Sequence, residues 1–100
     1  MYPAEVENVL HAHDGVSQAA VVGAAHPRWG EAGIAFVVLA PGATTSPDEL
    51  LDWCRGRLAG SRVPVRIVLT DELPRNATGK VLKGPLRAAA GAAGQDRTHA

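Results

Sequence analysis

The residues whose chemistry stands out lie in one polar segment, residues 73–83, near the end of the 100-residue sequence. Within it, Thr78 offers a hydroxyl group, Gly79 an unrestricted backbone and Lys80 a positive charge. A Thr-Gly-Lys sequence first suggests a loop that binds phosphate through its backbone N–H groups and its lysine. The ordinary alternative is a solvated surface charge, because most lysines lie at protein surfaces.

The segment differs from the phosphate-binding loop that its Thr-Gly-Lys sequence suggests. That loop has the spacing G-x-x-x-x-G-K-[ST], and its backbone N–H groups surround the phosphates. Pro74 occupies the first glycine position and has no N–H, and Val81 occupies the position of the required hydroxyl. The sequence therefore indicates a loop that is stiffened by Pro74, pivots at Gly79 and carries Lys80, and it argues against a phosphate-loop nucleotidase.

Helices are predicted on both sides of this loop. The first should begin at Pro3, because proline fits the first position of a helix. Ser46 is followed directly by a proline, and the third residue after Ser46 is a glutamate, which predicts a capping box at the start of a helix. Gly60 is predicted to end this helix. The last helix should be short and include Leu86, since Pro85 would break a helix that was already running through the loop.

Strands are predicted over residues 16–23, 32–40 and 65–69. The second of these is apolar at both alternating sets of positions, as expected for a strand that is covered on both faces. The order of elements predicts an α+β fold, in which a short, three-stranded, mainly antiparallel sheet is packed by about three helices. Residues 1–90 should form this domain, and residues 91–100 a flexible tail.

Composition limits the classes of function. Ten basic and ten acidic residues give a formal net charge of zero, which argues against a nucleic-acid-binding protein. No apolar run approaches the roughly 20 residues that cross a bilayer, and the N-terminus lacks the features of a secretion signal, so a cytoplasmic protein is expected. The lone Cys54 is predicted to be a buried thiol, and no cluster has metal-ligand spacing. One basic stretch is either a solvated face or a docking surface for a phosphate or a partner domain: Arg55, Arg57, Arg62 and Arg66.

The polar loop belongs to a longer pattern, L-P-R-x-x-T-G-K-x-x-K-x-x-L-R, over residues 73–87. This pattern resembles the closing motif of the adenylate-forming superfamily, which includes acyl-CoA synthetases, luciferases and the adenylation domains of peptide synthetases. Earlier segments are similar to that family in order and spacing: residues 2–7 (YPAEVE), 15–23, 26–38 and 62–64. The resemblance thus extends from residue 2 to about residue 88.

The resemblance implies the mobile C-terminal domain of an ATP-dependent, AMP-forming carboxylate–CoA ligase. In that family the lysine equivalent to Lys80 enters the active site of a large N-terminal adenylation domain and acts there as a catalytic residue. Thr78 and Gly79 would position the loop. After adenylation the small domain rotates, and one further segment is a candidate for contacts with the thiol tunnel or the other domain: Arg28, Trp29, Gly30 and Glu31. For Arg28 and Trp29 the alternative is an ordinary exposed loop with one packed aromatic side chain.

The same resemblance implies how the chain depends on partners. No cofactor or metal is expected to bind this domain alone, whereas the complete enzyme would use ATP, Mg²⁺ and CoA or a pantetheine carrier. The isolated chain is therefore expected to be inactive without the large domain, supplied in cis or in trans. The alternative is a stand-alone, non-catalytic interaction module that docks on a synthetase or a carrier protein.

Overall fold

The computed structural model of the protein describes residues 3–26 and 30–98. The helices and strands of this part of the chain follow one another in the order α1 (Pro3–His11), β1 (Val16–His26), β2 (Gly30–Leu39), α2 (Pro47–Arg55), β3 (Arg66–Leu69) and α3 (Lys83–Thr98). The three strands form one sheet in the order β1-β2-β3. The predicted α+β class, with helices packed on a three-stranded sheet, is confirmed.

The sheet is mixed. β1 and β2 are antiparallel, with ten residue pairs from Val16 opposite Leu39 to His26 opposite Gly30. β3 joins the other side of β2 in parallel, through four pairs, because α2 carries the chain back to the same end of the sheet. Antiparallel pairing therefore dominates, as predicted. Both strands are longer than predicted: β1 continues through residues 24–26, and β2 begins at residue 30 instead of residue 32. The small residues in these stretches lack the alternating apolar pattern that marks a strand in a sequence.

The sheet is buried on both faces. Toward α1 and α2 it contributes one apolar cluster that includes Val37, and toward α3 a second that includes Phe36. These neighbours on β2 point to opposite faces, which confirms the prediction that this strand is covered on both sides. The predicted burial of Cys54 is also confirmed, since it lies in the first cluster with no exposed surface. The second cluster supports the polar loop, because Leu73 belongs to it.

The start of α2 follows the sequence prediction and its end does not. The Ser46 side chain accepts a hydrogen bond from the backbone N–H three residues later, and the reciprocal bond completes the predicted capping box. The helix ends at Arg55, before the predicted stop at Gly60. The chain leaves the helix in a tight turn, in which the N–H of Leu58 donates to the carbonyl oxygen of Cys54 (2.8 Å).

α3 begins at Lys83, directly after the polar loop. Pro85 therefore lies in the first turn, where a helix has no internal partner for its N–H groups, and it does not break the helix. The prediction of a short helix is wrong, because α3 continues to Thr98 through alanine-rich sequence of high helix propensity. The flexibility of residues 91–100 stays a prediction. None of the described helices is long and apolar enough to cross a bilayer.

Candidate functional site

The polar loop leaves the body of the domain and returns to it at one place. Arg75 and Val81 form an isolated antiparallel bridge, and the N–H of Leu82 donates to the carbonyl oxygen of Pro74 (2.8 Å). Below this bridge Leu73 is buried, and Val81 packs against the same apolar cluster. The loop is therefore a small hairpin whose base is fixed by both hydrogen bonds and apolar burial.

A tight turn forms the tip of this hairpin. The N–H of Gly79 donates to the carbonyl oxygen of Asn76, and the N–H of Asn76 donates to the carbonyl oxygen of Lys80; each N···O distance is 3.0 Å. Gly79 has a φ of +86°, in the left-handed region that residues with a Cβ rarely adopt. Gly79 is thus part of a hydrogen-bonded turn, and its action as a pivot stays a prediction.

The side chain of Asn76 organises the turn from inside. Its Oδ1 accepts hydrogen bonds from the N–H of Thr78 (3.0 Å), the hydroxyl of Thr78 (2.7 Å) and the N–H of Lys80 (3.0 Å). The Thr78 hydroxyl therefore points back into the loop, which is consistent with a positioning contribution and not a chemical one. Sequence analysis missed Asn76, although asparagine side chains commonly bond the backbone two residues on.

The guanidinium of Arg75 connects the turn to the sheet. Nη1 donates to the carbonyl oxygen of Gly79 (2.6 Å), and Nη2 donates to Oε1 of Gln18 on β1. Gln18 was also missed by sequence analysis. No local signal could have revealed it, because it is separated from Arg75 by 57 residues.

The ammonium of Lys80 is presented at the end of this arrangement. The residue is exposed, and within the described part of the chain neither an ion pair nor a side-chain hydrogen bond engages its Nζ. The next lysine differs, because Lys83 Nζ forms an ion pair with Glu7 Oε2 (2.8 Å). Within the described residues, therefore, the charge of Lys80 is not engaged, whereas the charge of Lys83 is paired with Glu7.

Of the other predicted site segment, residues 28–31, the structure describes Gly30 and Glu31, which lie at the far end of the sheet from Gln18. Arg28 and Trp29 fall outside the described residues, Gly30 begins β2, and the backbone of Glu31 is paired with β1. His26, which pairs with Gly30, lies eight residues after Gln18 on β1, or roughly 25 Å along the strand. The structure therefore does not bring Gly30 and Glu31 together with the Lys80 turn.

The predicted basic stretch does not form one free cationic surface. Three of its arginines contact groups of their own chain: Arg55 pairs with Asp52 (2.6 Å), Arg62 with Glu5 (3.1 Å), and Arg57 stacks on Trp53, 3.2 Å from its ring centre. The stacked guanidinium gains a cation–π interaction. These contacts favour the interpretation of ordinary surface arginines over a phosphate dock.

One groove in the described surface can be compared with an ATP site, and the described side chains can be compared with a metal site. A shallow groove of about 230 Å³ opens beside the ends of β2 and β3, lined by Val38, Leu39, Leu69, Thr70 and Asp71. Its lining has no cation for a triphosphate, and it is smaller than the roughly 300 Å³ or more of typical ligand pockets. Nowhere in residues 3–26 and 30–98 do three histidine, cysteine or carboxylate side chains come together to hold a metal ion.

Comparison with known protein families decides the affiliation of this fold. The model of the AMP-binding enzyme C-terminal domain matches residues 5–80, from α1 to the lysine at the tip of the loop. The chain belongs to this family. The family resemblance inferred from the sequence motifs is thus confirmed.

Relatives of this AMP-binding C-terminal domain are acyl-activating ligases. The chain is 53% identical over 87 residues to a feruloyl-CoA synthase of Amycolatopsis sp, and this alignment covers 87% of the chain and 18% of the synthase. It is 49% identical over 87 residues to the fatty acid–[acyl-carrier-protein] ligase ScoC of Streptomyces coeruleorubidus, covering 87% of the chain and 17% of the relative.

The fold agrees with solved structures of adenylate-forming enzymes. The AMP-binding C-terminal domain superposes on ATP-bound MatB from Rhodopseudomonas palustris with a TM-score of 0.85 and 38% identity, covering 89% of the chain and 18% of MatB. The chain therefore spans less than a fifth of the length of the relatives and structures that it matches.

Proposed function

We propose that the chain acts as the mobile C-terminal domain of an ATP-dependent, AMP-forming acyl-CoA ligase, and that Lys80 is its catalytic residue. The partner would be a large N-terminal adenylation domain, in cis or in trans. The observation that carries the proposal is the exposed ammonium of Lys80, which has no partner among the described residues and stands at the tip of a hydrogen-bonded turn. The relatives named above from the same family are ligases. Those relatives do not favour a non-catalytic docking module.

The proposed chemistry needs a cation at a crowded centre of negative charge. A carboxylate oxygen of the acid forms a bond to the α-phosphorus of ATP, and the bond from that phosphorus to the bridging oxygen of pyrophosphate breaks. Nucleophile, phosphate and leaving group are all anionic, so an ammonium near the attacking and bridging oxygens stabilises the transition state. Lysine suits this task because its four-carbon stem lets a point charge reach across a domain gap.

The rest of the site must come from the partner domain. The groove beside β2 and β3 has no cation for a triphosphate, and the adenylation domain would hold both substrates and the metal ion. The isolated chain should accordingly be inactive. The segment at residues 28–31 remains a candidate for contacts with the acceptor thiol or the other domain. Gly30 and Glu31 lie at the opposite end of the sheet from the strand residue Gln18 that contacts the Lys80 turn, so a rotation of the domain would present one end or the other.

A hybrid enzyme tests the proposal. The chain would replace the matching C-terminal segment of the Amycolatopsis feruloyl-CoA synthase, and ferulate-dependent ATP–pyrophosphate exchange would be measured. We expect the hybrid to catalyse exchange and Lys80→Ala to lower the rate on the order of a hundredfold, as loss of one transition-state charge donor does. Arg55→Ala is the matched control, because it removes an exposed charge on the far helix.

Two outcomes would contradict the proposal. One is a Lys80→Ala hybrid that exchanges pyrophosphate as fast as the unmodified hybrid, which would remove Lys80 from the chemistry. The other is an isolated chain that catalyses exchange without any partner domain, which would mean that a substrate site exists within these 100 residues.

A further inference from the structure

We propose that Asn76 and Arg75 are positioning residues, which hold the Lys80 turn in its working conformation before it meets a reaction centre. This inference rests on the proposed catalytic role of Lys80. It adds residues whose own side chains would not touch the substrates. The structural basis is a pair of side chains that together bind four groups of the turn and one group of the sheet.

Asn76 restrains the backbone on both sides of Gly79. One oxygen, Oδ1, receives the N–H of Thr78, the hydroxyl of Thr78 and the N–H of Lys80. Since the acceptor is shared, a side chain without an oxygen at this position removes all three hydrogen bonds at once. The bond to the Lys80 N–H matters most for direction, because it fixes the backbone from which the lysine stem projects.

Arg75 fixes the turn relative to the domain. Its guanidinium donates from one nitrogen to the Gly79 carbonyl and from the other to Gln18, which lies in the long strand β1. A planar fork can make both contacts in one geometry, whereas a lysine ammonium on a flexible stem cannot reproduce it. The tip of an exposed loop is thereby connected to the sheet.

A turn that is already held by side-chain hydrogen bonds loses less conformational entropy when it enters the active site of another domain. An exposed loop that samples many conformations loses that freedom on docking, and the loss opposes delivery of its lysine. A turn that is already ordered avoids this cost and keeps the ammonium near its productive position, where small displacements reduce the rate strongly. The two side chains would therefore affect the rate of adenylation without taking part in the chemistry.

Amide hydrogen exchange on the 100-residue chain tests the structural half of the inference without any activity. We expect Asn76→Ala to accelerate exchange of the Thr78 and Lys80 amides about tenfold, the effect of losing one hydrogen bond at each. Asn76→Asp should retain the protection, because the carboxylate offers the same acceptor. Asn8→Ala, the same change at an exposed position on α1, should leave both amides unchanged.

The hybrid feruloyl-CoA synthase tests the functional half. Asn76→Ala and Arg75→Lys should each slow ATP–pyrophosphate exchange on the order of tenfold, a misplacement effect. Thioester formation from preformed feruloyl-adenylate should keep its rate, because Lys80 is proposed to act only in the first half-reaction. A loss caused by poor folding would reduce both half-reactions together.

The outcomes separate this inference from the proposed function. Unchanged amide exchange in Asn76→Ala overturns the inference, whatever the hybrid does. If Lys80→Ala abolishes pyrophosphate exchange while Asn76→Ala and Arg75→Lys react at full rate, the proposed function stands and the positioning role is wrong. Equal losses in both half-reactions would assign the two residues to general stability, which also overturns the inference. If Lys80→Ala has no effect on pyrophosphate exchange, both the proposed function and this inference are wrong.

Discussion

Two lysines three positions apart have opposite environments in this domain. Lys80 stands on an exposed turn, and its ammonium has no partner in the described chain. Lys83 begins α3, and its ammonium meets the Glu7 carboxylate on α1. The difference arises because the hairpin ends between them, so that one lysine projects from its tip and the other lies against the body of the domain. Residue type alone does not decide which cation is available for chemistry.

At the residue scale, Gly79→Ala should weaken the turn. The new methyl group meets open space, so any cost comes from the φ of +86°, which disfavours a Cβ. We expect a loss of about 1 kcal/mol in the free energy of unfolding, measured by urea denaturation. Gly84→Ala is the matched control, because it also meets open space but lies in the first turn of α3 and should be neutral or slightly stabilising. Equal effects at both glycines would contradict the described turn.

At the scale of elements, α1 protects the open edge of the sheet. β1 is an edge strand, and an edge leaves backbone N–H groups unpaired. Two side chains of α1, four residues apart, accept from alternate N–H groups of this strand: Glu7 Oε2 from Val21 (2.8 Å) and His11 Nε2 from Ala19 (3.2 Å). Both histidine and glutamate thereby serve as acceptors that replace a neighbouring strand. The helix that opens the domain is thus joined to the sheet by hydrogen bonds as well as by apolar packing.

Glu7→Ala should therefore destabilise the protein more than loss of a typical surface carboxylate. It leaves the Val21 N–H without its acceptor and Lys83 without its counter-ion, and the Glu7 side chain is only 20% exposed. We expect a decrease of about 1–3 kcal/mol in the free energy of unfolding. Asp52→Ala is the comparison, because Asp52 is 75% exposed in its pair with Arg55 and should cost less than about 1 kcal/mol. Thermal and urea unfolding would measure both, and similar costs would argue against protection of the edge.

At the scale of the whole molecule, one sheet is shared by two apolar clusters. The cluster on the side of α1 and α2 and the cluster on the side of α3 and the polar loop both draw on β1 and β2. Loss of either cluster uncovers one face of the same strands, so we expect the two sides to unfold together. The radius of gyration of 13.0 Å is that of a folded domain of this length. The loop that carries Lys80 therefore depends on the stability of the entire domain.

The free energy of unfolding of the whole domain should depend on pH through the buried thiol of Cys54. Burial raises the pKa of the Cys54 thiol above its ordinary value of 9.0, and the Arg57 charge opposes this to a smaller extent. Below pH 9.0 the thiol is protonated whether the chain is folded or not, so its contribution is fully present there. Above that pH the thiol loses its proton in the unfolded chain before it does so in the folded chain. The free energy of unfolding therefore decreases until the pH exceeds the raised pKa of Cys54 in the folded chain.

Cys54→Ala should consequently remove part of the alkaline loss of stability. The cost of the substitution, measured by urea denaturation, should shrink as the pH rises from about 7 to about 10.5, by at most about 1.4 kcal/mol per pH unit. Val6→Ala is the control, because it truncates an equally buried side chain that does not titrate, and its cost should not vary with pH in this way. A constant cost for Cys54→Ala would show that the thiol does not titrate differently in the two states.

Local sequence patterns account for much of the architecture. The capping box at Ser46 and the double-sided apolar pattern of β2 are local rules, which depend on residues a few positions apart. Sequence patterns predicted the ends of the helices less accurately. Short-range turns ended α2 early, and alanine-rich sequence extended α3 to Thr98.

By itself, the sequence determined the class of fold, the family and the identity of Lys80 as the residue to test, because these depend on residue types at fixed short spacings. Only the tertiary structure decided that, among residues 3–26 and 30–98, Lys83 has a partner for its ammonium and Lys80 has none, and that Arg75 reaches Gln18. Those contacts join residues that are distant along the chain. No local pattern encodes them, since they exist only once both clusters have brought the helices and the loop onto the sheet.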